Sequence, residues 1–224
     1  MPNSLLVRLV GSARRLLFGE PAMSKTIRGT GNVFQANGAR LSKVELDIVG
    51  DRNHINIGEG SILYNLTFHI RGSDHIIKIG KNCRVTRSGM IWIEDDRCTL
   101  SIGPDTTMVN VTFAVTEPGS KIIIGEECMF ANDIDIRVGD SHSILDVATG
   151  KRINYAEDVN VGRHVWVGAH AIILKGVTIG SDSVIAAGAI VTRSCDSGSI
   201  LAGNPAKVIK TGISWQRGRI QKSE

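Results

Sequence analysis

Residues 160–195 read NVGRHV-WVGAHA-IILKGV-TIGSDS-VIAAGA-IVTRSC. Val161, Val167, Ile173, Ile179, Ile185 and Val191 recur every six residues. Four residues after each stands a small or β-branched side chain: Val165, Ala171, Val177, Ser183, Ala189 and Cys195. A Gly follows the aliphatic residue at Val161-Gly162, Val167-Gly168 and Ile179-Gly180. This period fits neither an amphipathic helix nor a plain alternating strand. It is the signature of a β-helix, in which each hexad supplies a short strand and a corner. Three hexads close one triangular coil, so Val161 is expected under Ile179, Val167 under Ile185 and Ile173 under Val191. Successive coils then hydrogen-bond like neighbouring strands, roughly 4.8 Å apart. A single coil cannot bury its own aliphatic face, and stability accumulates by stacking. Corners favour Gly, Asn and Asp, which tolerate unusual backbone angles.

Toward the N-terminus the repeat continues in a looser form. Ile57-Gly58, Ile79-Gly80, Ile102-Gly103 and Ile124-Gly125 are spaced by 22, 23 and 22 residues. They read as coils of eighteen with about four extra residues each, placed in corner loops; the regular eighteen-residue coils at the C-terminal end argue against the alternative of larger coils throughout. After Val138-Gly139 the period stops, and Asp140 to Asp158 (DSHSILDVATGKRINYAED) carries no hexad. A long excursion from a rigid repeat is usually functional. Residues 1–27 are expected to form a helical extension, 28–203 the β-helix with loop 140–158, and 204–224 a C-terminal tail with a short helix. Leu5, Leu9, Leu16 and Leu17 share one face of residues 1–20, with Arg8, Arg14 and Arg15 away from it. That suits a cap on an open coil end, with weak contact to an anionic membrane surface as the alternative.

The chain has 224 residues, 42% of them hydrophobic but 4% aromatic, with 25 Gly, which favours thin β layers over a bulky mixed core. A net charge of +4 is too mild to call for nucleic acid. Cys83, Cys128 and Cys195 occupy the small inward slot, where Cys serves as a small hydrophobe. No CxxC spacing is present, and no apolar run is long enough to span a membrane. A cytoplasmic protein with reduced thiols is the expectation.

GRHVWVGAHAIILKGVTIGSDSVIAAGAIVTRS, followed by AGNPAKVIK, resembles the hexapeptide-repeat acyltransferases, and the segment GDSHSILDVATGKRIN resembles their capsular polysaccharide O-acetyltransferases, especially those acting on polysialic acid. The resemblance implies an all-β, left-handed parallel β-helix, a homotrimer with sites between subunits, acetyl-CoA as donor and a carbohydrate acceptor. The hand comes from the resemblance, since left-handed crossovers are rare among parallel strands. His142 matches the family's catalytic histidine and Trp166 its catalytic tryptophan. A neutral imidazole can take a hydroxyl proton near neutrality, and an indole N–H can donate to a thioester carbonyl or a sugar. Trp166 precedes the inward Val167, so it should face outward. Gly168, Ala169, Ala186 and Ala187 match positions along the pantetheine arm, where smallness admits a slender chain. Thr192, Arg193, Lys207 and Lys210 match phosphate contacts, with Lys175 a further candidate.

Two other readings compete: an acetyltransferase of a small sugar, sugar amine or antibiotic, and a zinc β-helix of the carbonic anhydrase kind. His164 and His170, six residues apart, lie on consecutive faces and would diverge, so no metal is assigned. A bare scaffold role is disfavoured by the matched donor positions. Trp92 and Trp215 read as packing residues.

Overall fold

The computed structural model describes residues 23–221, and the chain there is a left-handed parallel β-helix of triangular section. The first face stacks Val33–Gln35, His54–Ile57, Ile76–Ile79, Thr99–Ile102, Lys121–Ile124, Val159–Val161 and Thr178–Ile179. The second runs from Arg40–Ser42 through Met129–Phe130, Trp166–Val167 and Val184–Ile185 to Ile200–Gly203. The third runs from Met23–Arg28 through Val44–Val49, Leu66–Arg71 and Ile134–Arg137 to Ile190–Val191. The long strands Arg84–Ile93 and Thr107–Val115 bend from the second face into the third. Val161 pairs with Ile179, Val167 with Ile185 and Ile173 with Val191, as the hexads require.

The extra residues of the N-terminal coils are not in corner loops. His54 pairs with Ile76, Ile76 with Thr99 and Thr99 with Lys121, whereas Asn160 pairs with Thr178 in a coil of eighteen. The difference lies in the third face, whose strands are six residues long at Val44–Val49 and Leu66–Arg71 but two at Ile172–Ile173 and Ile190–Val191. Val44–Val49 alternates inward and outward along its whole length, so the added residues widen the prism. The wider section houses the rings of Phe68, Phe113 and Phe130, while the narrow coils are filled by Val and Ile alone at the repeat positions.

Two interior columns tie the coils together. At the edge between the first and second faces, Ser61 Oγ donates to the Gly80 carbonyl (2.9 Å), Cys83 Sγ to Gly103 (3.2 Å), Thr106 Oγ1 to Gly125 (3.2 Å) and Cys128 Sγ to Gly162 (3.2 Å). The buried cysteines are therefore hydrogen-bond donors as well as small fillers, and burial pushes the Cys83 and Cys128 thiols up to about 11. The accepting glycines stack on one another. A Cβ on Gly58, Gly103 or Gly125 would stand 2.5 Å from the backbone of the glycine one coil on.

The second column lies at the edge between the third and first faces. Asn53 Nδ2 donates to the Gly72 carbonyl (3.0 Å), and its Oδ1 accepts the His75 amide (3.0 Å). His75, fully buried, accepts the Cys98 amide at Nδ1 (3.1 Å), which leaves the proton on Nε2, facing the Arg71 carbonyl at 3.4 Å.

At the ends the chain departs from expectation. Met23–Arg28 pairs in parallel with Val44–Val49, so the first described strand begins inside the stretch assigned to a helical extension. The amphipathic reading of residues 1–20 falls outside the described residues. Among the described residues the C-terminal tail forms no helix. Ala206–Lys210 folds back antiparallel on Ile200–Gly203 through a cis Asn204–Pro205 peptide and covers that edge. Residues 211–217 then run back along the prism, because their aromatic and basic side chains find partners there rather than in a helix of their own. No helix of the described residues is long and apolar enough to cross a membrane.

Two expectations follow. Gly125→Ala drives a Cβ into the Gly162 carbonyl and should cost more than the about 1–3 kcal/mol of ordinary overpacking, read from urea midpoints, while Gly218→Ala, which meets nothing within 4 Å, should be neutral. Burial holds the His75 imidazole below its ordinary value. Its folded pKa is thus lower than its unfolded one, so stability is full above pH about 6.5 and falls as acid is added. His75→Asn, which repeats the Asn53 arrangement, should flatten the urea midpoint between pH 7 and pH 5.

Candidate active site

The break in the repeat is a hairpin standing on the edge between the third and first faces. It leaves the third face after Ile134–Arg137 and returns at Val159–Val161. Leu145 and Arg152 form an antiparallel bridge, and the Ile153 amide donates to the Ile144 carbonyl (2.9 Å). The tip is closed by sequence-local chemistry. Asp146 Oδ1 accepts from the Thr149 amide (2.8 Å) and hydroxyl (2.7 Å), and Gly150 takes a φ of 67°.

Asn154, 6% exposed, is the hub of the base. Its Nδ2 donates to Asp140 Oδ2 (3.0 Å) and the His142 carbonyl (2.8 Å), and its Oδ1 accepts from the Ile144 amide (2.7 Å) and Arg152 Nε (3.2 Å). Arg152 is also paired with Glu117 on the coil below. On the coil above, Lys175 is paired with Asp140 and donates to the Asn154 carbonyl (3.1 Å). The Lys175 ammonium holds the Asp140 carboxyl below the usual carboxylate range, so this pin is in place at neutral pH and is released as acid protonates the carboxylate. His142 is exposed and presented by this base.

The sequence-derived site residues fall into two sets. Trp166, Gly168, Ala169, Ala186, Ala187, Lys207 and Lys210 gather on the second face and its edge with the third. Trp166 faces outward, 39% exposed, in one file with Met129, Val184, Ile200 and Lys210. Lys210 is therefore three rungs, ~14 Å, from Trp166. Gly168 lies under Ala186 and Ala187, so these positions of the edge carry nothing larger than a methyl, with the exposed His170 at the same corner.

His142, Lys175, Thr192 and Arg193 form the other set, on the edge between the third and first faces. Thr192 and Arg193 are exposed, whereas Lys175 is committed to Asp140 and is not open for a ligand phosphate. In a triangular section this edge lies across from the second face. One chain thus holds His142 and Trp166 on opposite sides.

Trp215 and Trp92 have more context than packing. Trp215 stacks on His164 (centroids 4.3 Å apart, 7° between planes), donates Nε1–H to the His164 carbonyl (2.8 Å) and stands 6.0 Å from the Trp166 ring. Arg217 continues the strap, donating to Thr107 Oγ1 (2.8 Å) and the Cys128 carbonyl (3.2 Å). The roles of Arg152 and Trp215 carry no local sequence signature, because Glu117 and His164 lie 35 and 51 residues away, and Asn154 finds its partners across the hairpin base, 10 to 21 residues off at Ile144, His142, Asp140 and Lys175. The Asp146–Gly150 turn, by contrast, was there to be read.

His164 and His170 take left-handed corner conformations (φ 54° and 61°), with their rings toward Asp182 and Asp133 respectively. Among the described residues, no group of three or more His, Cys, Asp or Glu side chains is placed to hold a metal ion.

Comparison with known proteins bears on this arrangement. Residues 158–193 match the family described as bacterial transferase hexapeptide (six repeats). The chain is 40% identical over 89 residues to a polysialic acid O-acetyltransferase of Escherichia coli O1:K1 / APEC, and 45% identical over 56 residues to the galactoside O-acetyltransferase of Escherichia coli K12. These matches take in 40% and 25% of the chain, and 29% and 28% of the relatives' own lengths. Among solved structures, the polySia-specific acetyltransferase NeuO superposes with a TM-score of 0.78 at 34% identity, covering 91% of this chain and 92% of that one. The polysialic acid O-acetyltransferase OatWY superposes with a TM-score of 0.82 at 27% identity, covering 89% and 94%.

The hub generates a prediction. Asn154→Ala leaves the Ile144 amide and the Arg152 guanidinium short of an acceptor, at about 1–3 kcal/mol for a buried polar group. Limited proteolysis should then cut between residues 143 and 153 at least several-fold faster, with the circular dichroism of the β-helix unchanged.

Proposed function

This chain belongs to the bacterial hexapeptide-repeat transferases, and on that premise we propose that it transfers acetyl from acetyl-CoA to a hydroxyl of a bacterial surface polysaccharide or its sugar precursor. Polysialic acid, the polymer in the names of the similar O-acetyltransferases, is the first acceptor to test. His142 acts as general base on the acceptor hydroxyl, and the Trp166 indole N–H donates to the oxygen that gains charge.

The observation that carries this reading is the pinned hairpin that replaces a corner of the prism and presents His142. Its strands leave Ile144, Leu145, Ile153 and Tyr155 more than half exposed and Val147 fully exposed. Such an apolar projection calls for cover. Because His142 and Trp166 sit on opposite sides of one chain, the reading requires the hairpin of one copy to lie against the second face of the next. Three copies related by a cyclic axis satisfy this, each giving its hairpin to one neighbour and receiving one from the other.

The donor fits the same division. The methyl-lined edge of Gly168, Ala169, Ala186 and Ala187 leaves room for a slender pantetheine arm, and Lys207 and Lys210 stand exposed beyond it. Thr192 and Arg193 come from the edge that also carries His142, so they reach the phosphates from the neighbouring copy. The bound donor supplies the activated acetyl group. The chain's own part is to take the proton, hold the oxyanion and keep both substrates in line.

Mixed trimers test the arrangement. His142→Ala and Trp166→Ala should each reduce acetyl transfer by at least 100-fold, in the range of general-base and oxyanion-donor losses. Co-assembled at equal amounts, the two inactive variants should regain transfer at about a quarter of the sites, since random assortment places an intact His142 beside an intact Trp166 that often. No recovery in co-assembled trimers would mean that each site is built from one chain.

A further inference from the structure

On the third face, Asp47, His69, Trp92, Ala114 and Arg137 occupy successive rungs of one outward file. Four of the five are large and polar or aromatic, and the fourth rung holds only a methyl group. Trp92 is 39% exposed on a strand whose inward neighbours, Ile91 and Ile93, are buried.

The flank of Trp92 toward the N-terminal end is occupied. The His69 ring packs on it at 4.8 Å with a tilt of 44°, and His69 Nδ1 lies 3.3 Å from Asp47 Oδ2. Asp47 is held in turn by Arg71, through Nη2 to Oδ2 (2.6 Å) and Nη1 to the Asp47 carbonyl (3.1 Å). The Arg71 guanidinium keeps the Asp47 carboxyl below the usual range, so the group behind the indole is charged and fixed.

On the other flank Trp92 makes no ring contact among the described residues. Beyond Trp92 lies Ala114, and beyond that Arg137, whose guanidinium is braced by Asp135 (Nε to Oδ1, 3.1 Å). The strands that carry Trp92 and Arg137 are two rungs, ~10 Å, apart. A ring in van der Waals contact with an aromatic face lies about 3.5–4.0 Å from it. The gap over Ala114 therefore takes one saturated ring, with its apolar face on Trp92 and its polar substituents within reach of Arg137, which has further N–H donors. Three residues past Arg137 the chain enters the hairpin base at Asp140, which leads to His142.

We propose that Trp92, Ala114 and Arg137 form a subsite for a pyranose unit of the acceptor glycan, next to the unit presented to His142. This rests on the acetyltransferase reading for its acceptor. The Asp47–His69–Arg71 group acts by positioning the indole. The subsite holds a sugar one or more units away from the acetylated hydroxyl, so it serves oligomers and contributes nothing to a lone monosaccharide.

The test uses the full-length protein, with Trp92→Ala to remove the platform and Ala114→Phe to fill the gap. Wild type and both variants are titrated with sialic acid oligomers and, separately, with neutral hexose oligomers, by isothermal calorimetry. Acetyl transfer to the sialic acid monomer and oligomers is measured in parallel. Binding of one oligomer set by wild type is expected, weakened on the order of tenfold in both variants. Where transfer is measurable, the oligomer KM should rise by a like factor, with kcat at saturation and the KM for acetyl-CoA unchanged. Wild type that binds neither oligomer set, or variants that bind like wild type, overturns the subsite whatever the transfer assay gives. Absence of transfer alongside intact Trp92-dependent binding would sink the enzymatic reading and leave the subsite standing. Light scattering is the control for the rival explanation: if Trp92→Ala breaks the assembly apart, the face is covered by another copy and the proposal is wrong.

Discussion

Vertical stacking of identical corners is the constraint on which everything else in this molecule depends. Coils pack one strand spacing apart, so where backbones stack directly at a corner an added atom meets the same corner of the next coil. The glycine column at the edge of the first and second faces states this directly: no Cβ fits because the next backbone is already there. The carbonyls of those glycines are not idle. They receive hydroxyl and thiol hydrogen bonds from Ser61, Cys83, Thr106 and Cys128 inside the prism. Close stacking and interior satisfaction of polar atoms are one arrangement.

A prism built this way is stiff and nearly featureless, and its chemistry has to come from departures. Three departures matter. The wide N-terminal coils give a third face broad enough to carry an outward file of large side chains. The hairpin at the edge of the third and first faces replaces a corner and is anchored above and below, by Lys175 and by Glu117 through Arg152. The C-terminal strap lays Trp215 against His164, beside Trp166. Each projects groups from a support whose own positions are set by stacking, which is how rigid elements hold reacting groups in register.

The hairpin is also where the proposed assembly of copies would meet. Among the described residues its apolar side chains Ile144, Leu145, Val147 and Ile153 stay more than half exposed, and Trp166 lies on the far side of the prism. Val147 is fully exposed and Trp166 39% exposed, and the proposed closed ring of copies would cover both at once.

From the sequence by itself one could derive the triangular coil, the stacking partners Val161–Ile179 and Ile173–Val191, the outward Trp166 and the break at Asp140, because each follows from a period counted along the chain. The width of the N-terminal coils was misassigned to corner loops, since a six-residue strand and a two-residue strand with a loop have the same length in sequence. The expected helix of the tail is missing among the described residues because Trp215 and Arg217 find distant partners on the prism that no local pattern reveals. Lys175 looked available because a lysine's partner is invisible when it sits 35 residues away. Tertiary structure decided those points, and with them which side of the prism each functional group occupies. That last property is a matter of coil phase: it depends on the summed lengths of all preceding turns, and an extra residue placed in a strand or in a corner changes it differently.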